Sequence, residues 1–258
     1  ARQSFAMAGA SLHPCSVDQD GLQLEALAHL PSRPTIVLLT PSHQFPTGAR
    51  LSLGRRHHLV EWARRHGALI VEDDYDGEYR YDVPPLPPLA ALAEDCVVYC
   101  GTFSKTMFPG LRVGFAAGPP AQIEAMARYQ ALTAYAPGEV VHRALAKFID
   151  SGEFEKHVHR MRKRYAGKRR VLTQTIREHS PEAVVTGIDS GLNALVRLPT
   201  ARRAEDICKV AATKGVLASA LTRYCARPPQ ADDAIVIGYA APEEEALVRG
   251  VECLLSPW

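Results

Sequence analysis

The chain has 258 residues, of which 47% are hydrophobic and 22% are charged, and its formal net charge is +2. This composition is typical of an ordinary globular protein with an ample core. A membrane-spanning protein is excluded because no apolar run approaches the length of a bilayer span. The small net charge argues neither for nor against a nucleic-acid partner.

The six cysteines form no CxxC pair and show no metal-ligand spacing. We therefore expect reduced, buried thiols in a cytoplasmic protein without a metal site. No amino-terminal charged-then-apolar signal is present. The chain begins at Ala1 without an initiator methionine, and we expect it to begin in the middle of a domain.

The first predicted elements alternate between helix and strand. We predict the end of a helix over residues 2–10, a short strand over 12–17 and a helix over 22–30. A continuous apolar strand over 35–40 then leads into the loop PSHQFPTG, residues 41–48.

The next helix is predicted to begin at Ser52, a suitable N-cap, and to end at Arg65 or His66. Its apolar residues recur at helical spacing and define an inward face. Its basic residues are expected to form a solvated outer face: Arg55, Arg56, Arg64 and Arg65.

A buried strand over residues 68–71 ends in the acidic segment EDDYD, residues 72–76. Acids at the carboxyl end of a strand in an open α/β sheet lie where such sheets bind ligands. The alternative is an acidic turn that only ends the strand. That alternative leaves Tyr75 and the downstream lysine and arginine unexplained.

A second buried strand over 97–100 leads into GTFSKTMFPGLRVG, residues 101–114. Burial of Lys105 would lower its pKa, and a deprotonated lysine condenses with carbonyl groups. Arg112 carries the planar guanidinium that clamps a phosphate. Asp73 lies 32 residues before Lys105, enough for both to reach neighbouring strand ends. A lysine, an acid and a phosphate clamp are the groups that pyridoxal phosphate requires.

A further helix is predicted after Pro119-Pro120, with one inward side made of Ile123, Met126, Ala127 and Gln130. The alternation of strands and helices predicts an α/β fold with a mainly parallel sheet covered by helices on both faces. We assign residues 1–150 to a large domain whose amino-terminal part is missing.

Pro137-Gly138 breaks this alternation, and residues 140–179 are predicted to be helical with an interruption near Ser151-Gly152. The segment 156–170 holds eight lysines and arginines. A nucleic-acid contact is one interpretation. A solvated interdomain helix is the better one, because the charges surround the helix instead of forming a stripe.

The last part of the chain has an α+β pattern. We predict strands near 184–186, 192–198 and 234–240, and helices near 203–214 and 243–255. Residues 151–258 are therefore expected to form the interdomain helix and a smaller carboxyl-terminal domain.

Three motifs carry a resemblance to a known family: TPSHQFPTG at 40–48, EDDYDGEYRY at 72–81 and GTFSKTMFPGLRVG at 101–114. Their wording and order resemble the aminotransferase-like domain of the MocR/GabR family of transcription regulators. The similarity extends over essentially the whole chain. It implies a fold-type I, pyridoxal-phosphate-dependent transferase fold with class I and II aminotransferase chemistry.

The resemblance implies a role for each motif residue. Lys105 would carry pyridoxal 5'-phosphate, Asp73 would face its pyridine nitrogen, and Tyr75 would face its phenolic oxygen. Arg112 would hold the phosphate together with the hydroxyl groups of Thr102 or Ser104.

Two further positions follow from the resemblance. Ordinary aminotransferases have NPTG where this chain has FPTG, so the asparagine that contacts the phenolic oxygen is missing, and His43 or Gln44 would replace it. Arg223 matches the arginine that binds the carboxylate of the incoming amino compound; a surface arginine is the alternative. The family also implies a homodimer, and DNA binding through a winged-helix domain outside this chain.

Two functions remain open. In the first, the domain senses an amine or amino acid through aldimine exchange at Lys105 and alters DNA binding elsewhere. In the second, it is a working aminotransferase in which Lys105 moves a proton and Asp73 keeps the ring nitrogen protonated. The motif wording favours the regulator.

Overall fold

The computed structural model describes residues 2–133, 138–199, 203–226 and 233–255. Pro137, expected to break the first alternation, lies outside these ranges. The described residues contain ten strands: β1 Val17–Asp18, β2 Gly21–Leu22, β3 Ile36–Leu39, β4 Leu69–Asp74, β5 Val97–Thr102, β6 Gly114–Ala117, β7 Val184–Thr186, β8 Asn193–Arg197, β9 Ser219–Ala220 and β10 Ala234–Gly238.

The same ranges contain ten α-helices: α1 Arg2–Met7, α2 Glu25–Ala28, α3 Leu53–His66, α4 Leu89–Leu92, α5 Phe103–Thr106, α6 Pro120–Thr133, α7 Glu139–Asp150, α8 Glu153–His179, α9 Ala204–Thr213 and α10 Glu244–Leu255. The long helices and buried strands match the predicted ones. The predicted strand over 12–17 is wrong, because pairing begins only at Val17, and the predicted helix over 22–30 is reduced to α2.

A four-stranded sheet in the order β3-β4-β5-β6 forms the frame of the first half. β3, β4 and β5 are parallel, and β6 runs antiparallel to β5. One face packs on α3 and α4 through a cluster that includes Val37, Ile70 and Val97. On the other face Ile36 and Leu38 remain 42% and 38% exposed. Because three of the four strands are parallel, the expectation of a mainly parallel sheet is confirmed. The expected helix cover on both faces is not seen at β3, where these two residues are exposed.

A second, antiparallel sheet in the order β7-β8-β10-β9 forms the frame of the carboxyl-terminal part. Its core combines this sheet with α8, α9 and α10, and contains Leu172, Ile207, Ile235 and Leu254. The first sheet has a separate core. Each sheet thus buries its own apolar surface, which is the main favourable contribution to folding.

Helix α8 runs without interruption for 27 residues and buries Leu172 and Ile176 in the core of the second sheet. Its basic residues are not all solvated, contrary to our expectation. Lys168 is only 2% exposed and donates to the carbonyl of Ala240 at 2.8 Å. Arg162 donates to the carbonyl of Glu78 at 2.7 Å. These long side chains reach backbone acceptors of neighbouring elements, and sequence patterning does not reveal such acceptors.

Helix α6 also differs from expectation. Its predicted inward side is only partly covered: Ile123 is half-buried, Met126 is 45% exposed, and no residue of the helix is fully buried. No helix in the described ranges is long and apolar enough to cross a membrane.

Arg56 of α3 is buried instead of solvated, which corrects a further prediction. Its guanidinium lies 3.7 Å from the Glu72 carboxylate, and the two side chains are 1% and 0% exposed. It also donates to three backbone carbonyls at 2.9–3.0 Å, those of Leu51, Pro87 and Pro41. Burial raises the pKa of Glu72 and lowers the pKa of Arg56. Burying these two charges costs desolvation free energy, and the hydrogen bonds of Arg56 hold the surrounding loops in place.

Candidate functional site

The carboxyl end of β4 places two acids on opposite faces of the sheet. Asp73 pairs with Cys100, and Asp74 pairs with Gly101, so the two side chains alternate. The hydroxyl of Tyr99 donates to Asp74 at 2.8 Å. None of the described side chains forms a hydrogen bond with the Asp73 carboxylate. Asp73 is thus the acid left unengaged at this edge.

Asp73 is half-buried without a counter-charge among the described side chains. Burial raises its pKa, and the neighbouring charges of Asp74 and Asp76 raise it further. The chain by itself therefore disfavours the charged form of Asp73. A cation placed beside Asp73 would offset the desolvation of its charge.

Lys105 lies in the short helix α5 directly after β5. Thr102 caps this helix, its side-chain oxygen accepting from the amide of Ser104 at 3.1 Å. The hydroxyl of Tyr79 lies 3.5 and 3.4 Å from the carbonyls of Lys105 and Thr106. The Lys105 side chain is exposed, not buried as expected, and none of the described residues bonds to its amino group. Helix α5 is therefore fixed by hydrogen bonds, while the amino group of Lys105 forms none with the described residues.

Arg112 follows a 3₁₀ turn, Pro109–Leu111, and adopts a left-handed backbone conformation with φ of 53°. It is the one non-glycine residue with positive φ in the described ranges. Such a conformation costs about 1–2 kcal/mol for a residue with a Cβ. Its neighbour Val113 accepts from the amide of Phe103 at 3.0 Å, which brings the segment back beside the cap of α5. Arg112 therefore presents an exposed guanidinium from a strained backbone position, on the segment that follows Lys105.

Tyr75 belongs to a buried polar network. Its hydroxyl lies 3.0 Å from Nδ1 of His43 and 3.2 Å from the His43 carbonyl. Burial raises the pKa of Tyr75, and the charges of Asp76 and Asp73 raise it further. Tyr75 is thus held as a neutral hydroxyl, suited to donate a hydrogen bond.

His43 is 4% exposed, and both of its ring nitrogens are engaged within the chain. Nδ1 lies 3.1 Å from the Asp76 carboxylate, and Nε2 lies 3.0 Å from the Gly187 carbonyl. Sequence reasoning did not single out Asp76. Its place in the EDDYD motif was the available signal, but the contact with residue 187 is invisible in the local sequence.

Arg223 lies on an exposed 3₁₀ turn, Leu221–Tyr224, of the carboxyl-terminal part. The adjacent ring of Tyr224 packs edge-on against Phe45 at 4.9 Å between centroids. Phe45 in turn packs edge-on against Tyr75 at 6.2 Å. These aromatic contacts place the Arg223 turn beside the loop that supports Tyr75.

Comparisons with known proteins agree with this geometry. A family model described as "Aminotransferase class I and II" matches residues 2–252. The Rhizobium meliloti protein named "Probable rhizopine catabolism regulatory protein MocR" is 36% identical over 99% of this chain and 52% of its own length. The HTH-type transcriptional regulator YhdI of Bacillus subtilis is 35% identical over all of this chain and 55% of its own. The chain therefore spans about half the length of these relatives.

A solved structure shows the same fold. The α-aminoadipate aminotransferase of Thermus thermophilus, solved in complex with N-(5'-phosphopyridoxyl)-L-leucine, is 26% identical and superposes with a TM-score of 0.86. The match covers 98% of this chain and 66% of that one. The expected fold-type I transferase fold is thereby confirmed.

Proposed function

Because the chain belongs to the class I and II aminotransferase family, we propose that it is the ligand-sensing domain of a MocR-type transcription regulator. In this role it binds pyridoxal 5'-phosphate at Lys105 and responds to an amine or amino acid. The observation that carries the proposal is the free Lys105 and the unengaged Asp73 at the ends of neighbouring strands. The regulator role is supported by curated relatives named as transcription regulators over nearly all of this chain.

The residues at this edge fit the cofactor. Pyridoxal phosphate supplies an aldehyde that condenses with amines and a ring that accepts electrons. Lys105 provides the amine. Asp73, whose pKa is raised while it lacks a partner, is suited to hold a protonated ring nitrogen. Tyr75 provides a neutral hydroxyl whose hydrogen would turn from the His43 carbonyl to the phenolic oxygen.

Arg112 is proposed to bind the phosphate. Its guanidinium can form two parallel hydrogen bonds to phosphate oxygens. The Thr102 oxygen already contacts the Ser104 amide at 3.1 Å and the Val113 carbonyl at 3.4 Å. The Ser104 hydroxyl forms no side-chain hydrogen bond within the described ranges, so it is the freer of the two hydroxyl groups.

His43 is proposed to act on the cofactor through Tyr75. Both of its ring nitrogens are occupied, and its Nδ1 and its carbonyl both contact the Tyr75 hydroxyl. Positioning this hydroxyl replaces, indirectly, the contact made by the asparagine of NPTG sequences. His43 is therefore a positioning residue.

A working aminotransferase is the second candidate function. It is supported by the solved aminotransferase with a TM-score of 0.86. Lys105 would then move a proton at the substrate carbon as a general base, and Asp73 would keep the ring nitrogen protonated. The same residues serve both functions, so the two differ in turnover and not in the cofactor site.

An experiment on the full-length protein separates the two functions. As a sensor, the cofactor-loaded protein should change its affinity for operator DNA when an amino compound is added, and cofactor-free protein should not. As an enzyme, it should convert a 2-oxo acid into the matching amino acid over many turnovers. Catalytic turnover with no effect on DNA binding would overturn the regulator proposal.

Asp73→Asn should weaken pyridoxal-phosphate binding about 10–100-fold, because a hydrogen bond to a charged group contributes about 1.5–3 kcal/mol. Asp74→Asn is the matched control: its amide oxygen can still accept from Tyr99, and its side chain lies on the opposite face of the sheet. Equilibrium dialysis of the cofactor measures both variants. If Asp74→Asn weakened cofactor binding and Asp73→Asn did not, our assignment of Asp73 to the ring nitrogen would be wrong.

Arg223 is proposed to bind the ligand carboxylate, since its turn contacts Phe45 beside Tyr75. Arg223→Lys should weaken amino-acid binding about 10-fold or more, because lysine cannot form the two parallel hydrogen bonds of a guanidinium. Cofactor absorbance in the absence of ligand should stay unchanged. Titration with candidate amino acids measures the effect, and an unchanged affinity would remove Arg223 from the site.

The partners and location are part of the same proposal. We propose a homodimer, and DNA contact through a winged-helix domain elsewhere in the protein, supported by relatives about twice as long as this chain. Cytoplasmic location is supported by the six cysteines, which form no disulfide bond with one another in the structure. The described residues hold no group of three or more histidine, cysteine or acidic side chains that could bind a metal ion.

A further inference from the structure

The ring of His43 lies between two hydrogen-bond acceptors. Nδ1 is 3.1 Å from Oδ2 of Asp76, and Nε2 is 3.0 Å from the carbonyl oxygen of Gly187. A carbonyl oxygen only accepts, so Nε2 must carry a hydrogen. If Asp76 is ionised, Nδ1 must carry one as well. A histidine with hydrogen on both nitrogens is a positively charged imidazolium.

The backbone contact of Asp76 also uses its carboxylate as a hydrogen-bond acceptor. Its Oδ2 also accepts from the amide of Leu192 at 3.2 Å, so this oxygen acts as an acceptor toward two partners. Its Oδ1 is buried without a hydrogen-bond partner, so a proton there would have nothing to bind. Tyr75 donates to the His43 carbonyl, which leaves its oxygen as a second acceptor facing Nδ1. The arrangement is therefore that of a buried ion pair.

This ion pair joins two distant parts of the chain. His43 and Asp76 belong to the segments that support Tyr75, whereas Gly187 and Leu192 are the two ends of the loop between β7 and β8, residues 187–192. The approach requires glycine: a Cβ on Gly191 would overlap the His43 ring and Asp76. Gly187, with φ of +69°, is equally close to Gly48. The contact is thus closely fitted at each end.

We propose that His43 and Asp76 form a charged lock that holds the β7–β8 loop against the segments carrying Tyr75, and that the lock is closed only while His43 is protonated. Loss of the proton removes the donor to either Gly187 or Asp76, because a neutral imidazole has one N–H group. The lock consists of the chain's own atoms, so it does not depend on a bound cofactor. Its position beside Tyr75 makes both residues positioning residues of the site.

The charges around His43 favour its protonated form. Burial lowers the pKa of His43, but the hydrogen bond and charge of Asp76, the Gly187 carbonyl and the charge of Asp74 raise it, and the net pKa lies above the ordinary value. Tyr75 also faces the ring. From the β7–β8 loop, the described contacts with the ring come from the backbone carbonyl of Gly187.

The sign of the pH dependence follows. A pKa raised on folding means that the lock stabilises the protein fully below about pH 6.5, the ordinary value for histidine, and loses this contribution as pH rises through the folded pKa. For each unit between the two pKa values, the unfolding equilibrium constant should rise tenfold across this window.

Nitrogen-15 NMR of the histidine rings in cofactor-free, full-length protein tests the protonation directly. At pH 6.5, the ordinary pKa of histidine, the His43 ring should mainly give the two-N–H signature of an imidazolium, assigned by its absence in His43→Gln. In Asp76→Asn the ring should become neutral at the same pH. A neutral His43 ring in the wild-type protein at pH 6.5 would overturn the proposal, even if the variants failed to fold.

Denaturant unfolding between pH 6 and pH 9 tests the linkage. Asp76→Asn should remove most of the decline in stability across this range. The matched control is His66→Gln, which removes a histidine whose Nδ1 contacts the Trp62 carbonyl within α3, and which should keep the decline. An equal decline in Asp76→Asn and in the wild type would show that the lock does not depend on the proton.

Discussion

Lys105→Ala should abolish covalent attachment of pyridoxal phosphate. The amine of Lys105 is exposed at the end of β5, held by a capped helix and by Tyr79, and no described residue competes for it. Removing it eliminates the nucleophile while leaving Asp73 and Arg112 to bind the cofactor without a covalent bond. Borohydride reduction followed by peptide mass spectrometry should find the adduct on Lys105 in the wild type and no adduct in the variant.

Lys156→Ala is a suitable control for this experiment. Lys156 is 67% exposed on α8 and pairs with Glu153 at 2.7 Å, so its removal should leave the adduct unchanged. Visible absorbance of the cofactor-loaded protein gives an independent reading. If the trapped adduct in the wild-type protein lay on another lysine, our assignment of the cofactor to Lys105 would be wrong.

Arg56→Ala should destabilise the protein by about 3–5 kcal/mol, the usual cost of removing one partner from a buried ion pair. The variant leaves the Glu72 carboxylate buried without its counter-charge and removes the Arg56 hydrogen bonds to three backbone carbonyls. Because one of these carbonyls belongs to Pro41, the loop containing His43 should also lose order. Urea unfolding of the cofactor-free protein measures the change in unfolding free energy.

Arg64→Ala provides the matched control on the same helix. Arg64 pairs with Asp95 in solvent, where water and salt screen the interaction, so its removal should have a far smaller effect. Glu72→Gln should also destabilise the protein less than Arg56→Ala does. Burial disfavours the charged form of Glu72 and raises its pKa, so glutamine removes an unfavourable buried charge. Equal losses from Arg56→Ala and Arg64→Ala would mean that the buried pair has no special structural weight.

The strands and helices near the site could be predicted because their signals are local. Apolar runs such as residues 97–100 and proline at the start of α6 act within a few residues. The three motifs then indicated the family, and with it the assignment of Lys105 and Asp73. The alternation of side chains along β4 accounts for the placement of Asp73 and Asp74 on opposite faces.

Long-range contacts of charged residues could not be predicted in this way. Arg56 and Lys168 look like members of solvated helix faces, yet each reaches backbone carbonyls of distant elements. The same limit hid the link from His43 to Gly187, which are 144 residues apart in the chain. A charged side chain is buried only where the fold supplies partners, and those partners come from tertiary structure.

Helix α8 is a long, continuous connection between the segment that contains Lys105 and the core of the second sheet. Near its first turn His157 lies 2.8 Å from the carbonyl of Thr106, the residue after Lys105, and near its other end Ile176 is buried in the second core. At 1.5 Å per residue these points are about 28 Å apart, so a tilt of about 5° at His157 displaces the far end by about 2.5 Å. A small tilt of α8 beside Lys105 would therefore displace its far end, at the antiparallel sheet, by about the rise of half a helical turn.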